Sequence, residues 1–288
     1  MHKKIKNQPF DFGTHRLVHP FAQGKKPKVK TIDEIVARTK EEIEKRKQKV
    51  PLEELKASIE RQPARHFMQA IQFPKKGSVA IIAEVKLASP SESNLGTADD
   101  ISTRVKMYEQ AGADCISVVT EKHFFRGDSE FVRLIKNTIS LPVLQKDFIL
   151  DPYQLHESKK AGADAILLIA RIVSKDDLIS LVKTAQTIGL EVVVEANSKD
   201  GLEKALSTET KIVAVNARDL DTFNVDVDRA CKLLKLIPDT FIKLGFSGVI
   251  DKTQVEKYKN AGADGVLIGT SLMKTDNIKN FLLLLQAK

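Results

Sequence analysis

Cysteine is scarce: Cys115 and Cys231 are the only two in 288 residues. Two thiols cannot build a disulfide framework or a cysteine-rich metal cluster, which points to a reducing compartment. Histidine offers no metal site either. Of the six (His2, His15, His19, His66, His123, His156), three lie in the first 30 residues and none pairs with another at ligand spacing on a shared element. No apolar run has the length needed to cross a bilayer. Nor does the N-terminus carry an apolar stretch followed by a cleavage site of the secretory kind. These absences predict a cytoplasmic protein with no metal and no membrane partner.

Acidic residues are missing from one stretch in particular. Residues 1–30 hold eight Lys or Arg (Lys3, Lys4, Lys6, Arg16, Lys25, Lys26, Lys28, Lys30) against the single acid Asp11, and so carry nearly all of the net charge of +8. The rest of the chain is close to neutral. The basic arm therefore reads as a solvated tail and not as a groove for nucleic acid. Pro9, Pro20, Gly24 and Pro27 interrupt it, and an irregular conformation is expected.

Beyond the arm, Thr31 and Glu34 form a capping-box pair, and Ile32, Ile35, Val36 and Ile43 make a narrow apolar stripe on a helix reaching about Lys49. Pro51 opens a second helix, with Leu52, Leu55 and Ile59 on one face, that ends near Pro63. A third short helix covers His66 to Gln72. These helices, residues 31–75, could cover one end of the domain formed by the rest of the chain.

From Val79 the pattern alternates. Strand-like runs occur at Ala80–Val85, Cys115–Thr120, Val143–Gln145, Ala165–Ala170, Glu191–Val194, Ile212–Val215, Phe241–Leu244 and Gly265–Ile268. Helical segments such as Asp100–Ala111 and Leu178–Ile188 lie between them, as in parallel βαβ units. An internal repeat sharpens this. Ala-Gly-Ala-Asp occurs at 111–114, 161–164 and 261–264, each time leading into an apolar run, and the turn at Lys211 fills the remaining slot. The glycine suits a left-handed helix end with a strand starting at once. Repetition of βα pairs favours a closed barrel over an open doubly wound sheet. The first strand is followed by Ser89-Pro90-Ser91-Glu92-Ser93-Asn94, which is no dinucleotide fingerprint. The expected fold is α/β: a single (β/α)8 TIM barrel over residues 76–288 with an N-terminal helical extension.

In such a barrel the chemistry collects at the C-terminal strand ends. The first strand offers Glu84 and Lys86, two residues apart and so on one face, then Ser89 and Ser91. A structural ion pair is the plain reading; an acid/base pair at the barrel mouth is the functional one. Lys146, Glu195 and Asn216 end the third, fifth and sixth strands. Two lysines and two glutamates converging on one mouth suit proton transfer to and from a carbonyl or hydroxyl, or Schiff-base chemistry. Ser247-Gly248 and Gly269-Thr270 end the last two strands, where barrels often bind phosphate, and Arg218 stands on the neighbouring strand.

Ala83-Glu84-Val85-Lys86 with Ser89-Pro90-Ser91, the run Lys146-Asp147-Phe148-Ile149-Leu150-Asp151-Pro152-Tyr153-Gln154, Asn216-x-Arg218-Asp219-Leu220, Ser247-Gly248 and Ile268-Gly269-x-Ser271-Leu272-Met273 together resemble indole-3-glycerol-phosphate synthase. Ile35-Val36-Ala37-Arg38 and Val50-Pro51-Leu52-Glu53-Glu54-Leu55 are similar to that family's helical extension. The resemblance spans residues 31–288. It implies a carboxy-lyase of tryptophan biosynthesis that needs no cofactor; a monomer or homodimer is expected. Its phosphorylated small-molecule substrate, 1-(2-carboxyphenylamino)-1-deoxyribulose 5-phosphate, would become indole-3-glycerol phosphate with loss of CO2 and water. The resemblance further implies Lys146 as the acid on the substrate carbonyl, Lys86 at the carboxylate and phosphate end assisting dehydration, and Glu84 as its acid/base partner. Glu195 and Asn216 would position the lysines and the substrate hydroxyls. Ser89, Arg218, Gly248, Gly269 and Thr270 would hold phosphate, Ser247 would touch substrate, and Phe125 and Phe148 would flank the aromatic ring. The chain departs from the family's pattern at Phe246, where Glu is usual, at Glu92-Ser93, where Lys-Gly is frequent, and at Asn197, where His is common. Phe246 opens two alternatives: a paralogous barrel with an altered substrate, or a non-catalytic phosphate-ligand binding protein.

Overall fold

The computed structural model describes residues 32–60, 63, 65–219 and 221–286. The basic arm, the Thr31 cap and Leu220 lie outside the described residues. Three helices come first: α1 (Ile32–Lys49), α2 (Leu52–Ala57) and α3 (Phe67–Gln72). Strands and helices then alternate through β1 (Ala80–Val85), α4 (Ile101–Ala111), β2 (Cys115–Val119), α5 (Glu130–Thr138), β3 (Val143–Lys146), α6 (Pro152–Ala161), β4 (Ala165–Ile169) and α7 (Lys175–Thr187). The second half continues with β5 (Glu191–Ala196), α8 (Lys199–Leu206), β6 (Ile212–Asn216), α9 (Val227–Leu234), β7 (Ile242–Phe246), α10 (Lys252–Asn260), β8 (Gly265–Ile268), α11 (Thr270–Lys274) and α12 (Ile278–Gln286). The eight strands pair in sequence order and β8 closes on β1, all in parallel. The fold is a (β/α)8 TIM barrel. No helix among the described residues is long and apolar enough to cross a membrane.

Each strand splits its residues between two cores. Ile81, Ala83 and Val85 pack outward under the helices, whereas Ala80 and Ile82 join a second cluster inside the barrel. The period of two repeats on every strand, with Leu144, Leu167, Val193, Ala214, Leu244 and Leu267 inside. That inner cluster extends to Phe67 and Ile71 on α3 and to Ile32 and Ile35 on α1.

The repeated aspartates tie the barrel at its strand-start end. Asp114 exchanges two hydrogen bonds with Ile81, its amide donating to the Ile81 carbonyl at 2.9 Å and its carboxylate accepting the Ile81 N–H at 2.8 Å. Asp164 does the same with Val143, and Asp264 with Lys243. Each staple joins an even strand to the odd strand before it. Gly112, Gly162 and Gly262 precede them with φ of 97°, 93° and 87°, the left-handed turn that a Cβ would oppose. In the fourth slot the register puts Lys211 in the aspartate's place, opposite Val192, and the residue before it, Thr210, donates its hydroxyl to the Val192 carbonyl at 2.7 Å.

The extension does not sit at one end. α3 meets the strand starts, where the Met68 N–H donates to Glu191, the first residue of β5. α1 instead lies against α6: Arg46 forms a two-point bond with Glu157 at 2.7 and 3.1 Å, and Lys47 reaches Asp151 at 2.7 Å. The second helix is shorter than its apolar spacing predicts. It stops at Ala57, not near Pro63, because Leu55 is its one buried residue and the Ser58 hydroxyl bonds back to the Leu55 carbonyl.

Candidate active site

The last inward position on several strands carries charge or amide in place of aliphatic side chains. The alternation that turns Ala80 and Ile82 inward also turns Glu84 inward on β1, and likewise Lys146 on β3, Glu195 on β5, Asn216 on β6 and Phe246 on β7. Four of these (Lys146, Glu195, Asn216 and Phe246) fall inside strands that the sequence pattern ends too early. A charge near the end of an apolar run reads as a loop residue, yet a barrel strand continues past it.

Glu84 is the centre of the group, with 2% of its surface exposed. Its Oε1 lies 2.9 Å from Lys86 Nζ and its Oε2 lies 3.4 Å from Lys146 Nζ. Burial alone would raise this carboxyl. The charges and hydrogen bonds of the two ammonium groups outweigh it and hold the Glu84 pKa at about 2. Lys146 answers in the opposite sense: burial pulls its pKa down, but the Glu84 and Glu195 charges prevail and raise it. Both lysine and carboxylate are thus charged at neutral pH. On its other side the Lys146 ammonium stands 5.3 Å from the centroid of the Phe246 ring, which is fully buried.

Glu195 is almost as buried, but its balance differs. Its Oε2 has no hydrogen-bond partner among the described residues. Burial raises its pKa and outweighs the Lys146 charge and the bond from Asn216. Such a carboxylate accepts a proton more readily than an ordinary one. Asn216 accepts the Arg218 backbone N–H at 2.9 Å, and the Arg218 guanidinium donates to the Phe223 carbonyl at 3.0 Å.

The loops complete a concave site. Ser247 and Gly248 are both left-handed, with φ of 69° and 79°. A Cβ at Gly248 would crowd Val227 and Val225, so glycine is required there on two counts. The Tyr258 hydroxyl holds this turn by donating to the Ser247 carbonyl at 2.9 Å. Ser89 Oγ lies 3.1 Å from Ser91 Oγ. The Phe125 and Phe148 rings stand 6.1 Å apart, tilted by 40°. All thirteen residues singled out in the sequence line one cavity of about 530 Å³: Glu84, Lys86, Ser89, Phe125, Lys146, Phe148, Glu195, Asn216, Arg218, Ser247, Gly248, Gly269 and Thr270. A second cavity of about 420 Å³ opens at the strand-start end beside Arg65 and Glu191 and contains none of them.

Several lining residues carry no signal of their own in the sequence. Asp147 reads as half of a solvated Lys-Asp pair, yet burial pushes its pKa up to about 6 although Thr120 and the Phe148 N–H donate to it. Phe223, Val225, Ile250 and Lys257 also line the cavity. They belong to loops and helix faces with no local periodicity to announce them.

A model of the family described as indole-3-glycerol phosphate synthase matches residues 32–285. The chain belongs to this family. It is 39% identical over 255 residues to the indole-3-glycerol phosphate synthase of Thermoanaerobacter sp. (strain X514), covering 87% of this chain and 96% of that one. The same enzyme of Aliarcobacter butzleri (strain RM4018) is 39% identical over 253 residues, with the same coverage. A solved 3-hexulose-6-phosphate synthase shares the barrel alone, with a TM-score of 0.59 at 12% identity over 73% of this chain and 99% of that one. Phe246 in this member of the indole-3-glycerol phosphate synthase family leaves the two-lysine, two-glutamate set around it in place.

Proposed function

We propose that the barrel closes the indole ring of 1-(2-carboxyphenylamino)-1-deoxyribulose 5-phosphate in tryptophan biosynthesis, with Lys146 as the acid. The aromatic carbon that bears the carboxylate attacks the keto carbon, and Lys146 gives its proton to the carbonyl oxygen. The carboxylate then leaves as CO2. The new hydroxyl departs as water with a proton from Lys86, and Glu84, no longer held low by the two ammonium charges once both lysines have given their protons, takes up the proton released as the five-membered ring becomes aromatic. Glu195 and Asn216 orient Lys146 and the substrate hydroxyls. Phosphate falls to Ser89, Arg218, Gly248, Gly269 and Thr270, with Ser247 on the substrate and Phe125 and Phe148 flanking the aromatic ring. The observation that carries this reading is the single Glu84 carboxylate shared by Lys86 and Lys146 at 2.9 and 3.4 Å, which gathers both proton donors at one place. A positioned acid of this kind is worth roughly 10²–10⁴ in rate. The reaction as written calls on no cofactor, and the scarcity of cysteine supports a cytoplasmic setting.

The assay is simple because the chain contains no tryptophan, so indole emission belongs to the product alone. Emission should grow on adding the substrate without metal or cofactor and should vanish in Lys146→Ala. Turnover retained in that variant would remove Lys146 from the acid role. Binding of substrate without turnover by the unaltered protein would favour an altered-substrate or non-catalytic reading.

A further inference from the structure

The loop between β2 and α5 folds around a buried acid. The Glu121 carboxylate accepts the backbone N–H groups of His123 at 3.0 Å, Phe124 at 2.7 Å and Phe125 at 3.0 Å. Its own carbonyl accepts the Gly127 N–H at 2.8 Å. Glu121 is only 6% exposed and makes no ion pair among the described residues, so three amide dipoles meet its charge. The chain returns sharply. Arg126 is left-handed at φ 57°, and a Cβ on Gly127 would run into the Thr120 backbone. An apolar residue could fill this space without the cost of desolvating a charge. What the carboxylate adds is a fixed direction for three consecutive amides, the last of them that of Phe125, whose ring lines the active cavity beside Phe148.

We propose that Glu121 is a positioning residue for the aromatic end of the substrate. By gathering these amides it holds the loop in the form that presents Phe125 to the cavity. The inference rests on the reading that Phe125 and Phe148 receive the substrate's aromatic ring.

A double-mutant cycle on KM and kcat tests it, using Glu121→Ala, Phe125→Ala and the pair, with Glu121→Gln as the conservative variant. Glu121→Ala should raise KM by about tenfold with kcat within about threefold, and the pair should be no worse than Phe125→Ala alone, since coupled residues are not additive. Glu121→Gln, which keeps one acceptor oxygen, should fall between Glu121→Ala and the unaltered protein. If Glu121→Ala does not fold, the Gln variant completes the same cycle. Additive effects, or an unchanged KM on changing Glu121 while Phe125→Ala raises it, would overturn the proposal. An unchanged KM in Phe125→Ala would instead overturn the aromatic-contact reading on which it stands.

Discussion

The carboxylate of Glu84 fills the space that a side chain on Gly269 would need: a Cβ there would overlap Glu84 Oε1. The glycine at the end of β8 therefore does more than leave an amide free for a ligand. It lets the shared carboxylate stand between Lys86 and Lys146. Gly269→Ala should displace Glu84 and lower kcat by about 10²-fold, the scale of a misplacement of about 1 Å in an active site. Steady-state kinetics beside a melting curve will check this; a kcat close to that of the unaltered protein would mean that Glu84 has room to move.

Phe246 forms one wall of the Lys146 seat. Phe246→Met keeps an apolar side chain in the inner core and removes the ring's negative face. A cation over such a face gains about 0.5–2 kcal/mol, so kcat should fall by about 2–30-fold. Because the ring is fully buried, the melting temperature should fall as well, so kcat is compared at a temperature where both proteins are folded. Unchanged kcat would leave Glu84 and Glu195 as the sole anchors of the ammonium.

Asp147 makes stability depend on pH in an unusual direction for a carboxyl. Its pKa is about 6 in the folded chain against an ordinary 3.8, so the native state binds the proton more tightly than the unfolded one. Its contribution is therefore complete below about pH 4 and is lost as pH rises through about 6. A shift of about two units corresponds to about 3 kcal/mol at most. Urea titrations of Asp147→Asn across this window should lose that downward slope. A slope equal to that of the unaltered protein would assign it to other groups.

Asp164 belongs to the opposite end of the barrel. Besides the Val143 amide it accepts the Lys136 ammonium at 2.6 and 2.8 Å and the Arg65 N–H at 3.0 Å. Asp164→Ala leaves Lys136 buried without its partner, which should cost about 3–5 kcal/mol. Activity per folded molecule should stay within about twofold, because no site residue touches this network. A loss of kcat at temperatures where the variant is fully folded would contradict that separation.

Much of the barrel is legible in residue order. The repeated Ala-Gly-Ala-Asp predicts four βα pairs, and the glycines are left-handed as the motif requires. The boundaries of β1 and β8 agree to the residue. The strands that hydropathy ends too early, β3, β5, β6 and β7, are those whose final inward residue is Lys146, Glu195, Asn216 or Phe246. Hydropathy marks burial in apolar surroundings, whereas Lys146, Glu195 and Asn216 face one another at the barrel mouth; on β7 it is Lys243 and Gly245 that break the apolar run before Phe246. The role of the aspartates is not legible, because their partners lie on the strand before. Nor is the cradle around Glu121, in which a side chain bonds to backbone that the loop has yet to form. Asp147 shows the same limit: its altered acidity comes from what surrounds it in space, not from its neighbour Lys146.

The aspartate staples and the lysine–glutamate group occupy opposite mouths of one closed sheet, so selection can work on them separately. Residues at the reacting mouth can drift toward another substrate or another tuning of the same acid while Asp114, Asp164 and Asp264 keep the strands in register. Phe246, the last inward residue of β7, stands at a position of this kind. For protein engineering, the Thr210 seam between β5 and β6 is the place to add thermal resistance first, since it alone among the four quarters lacks an acidic tie and lies far from any reacting atom.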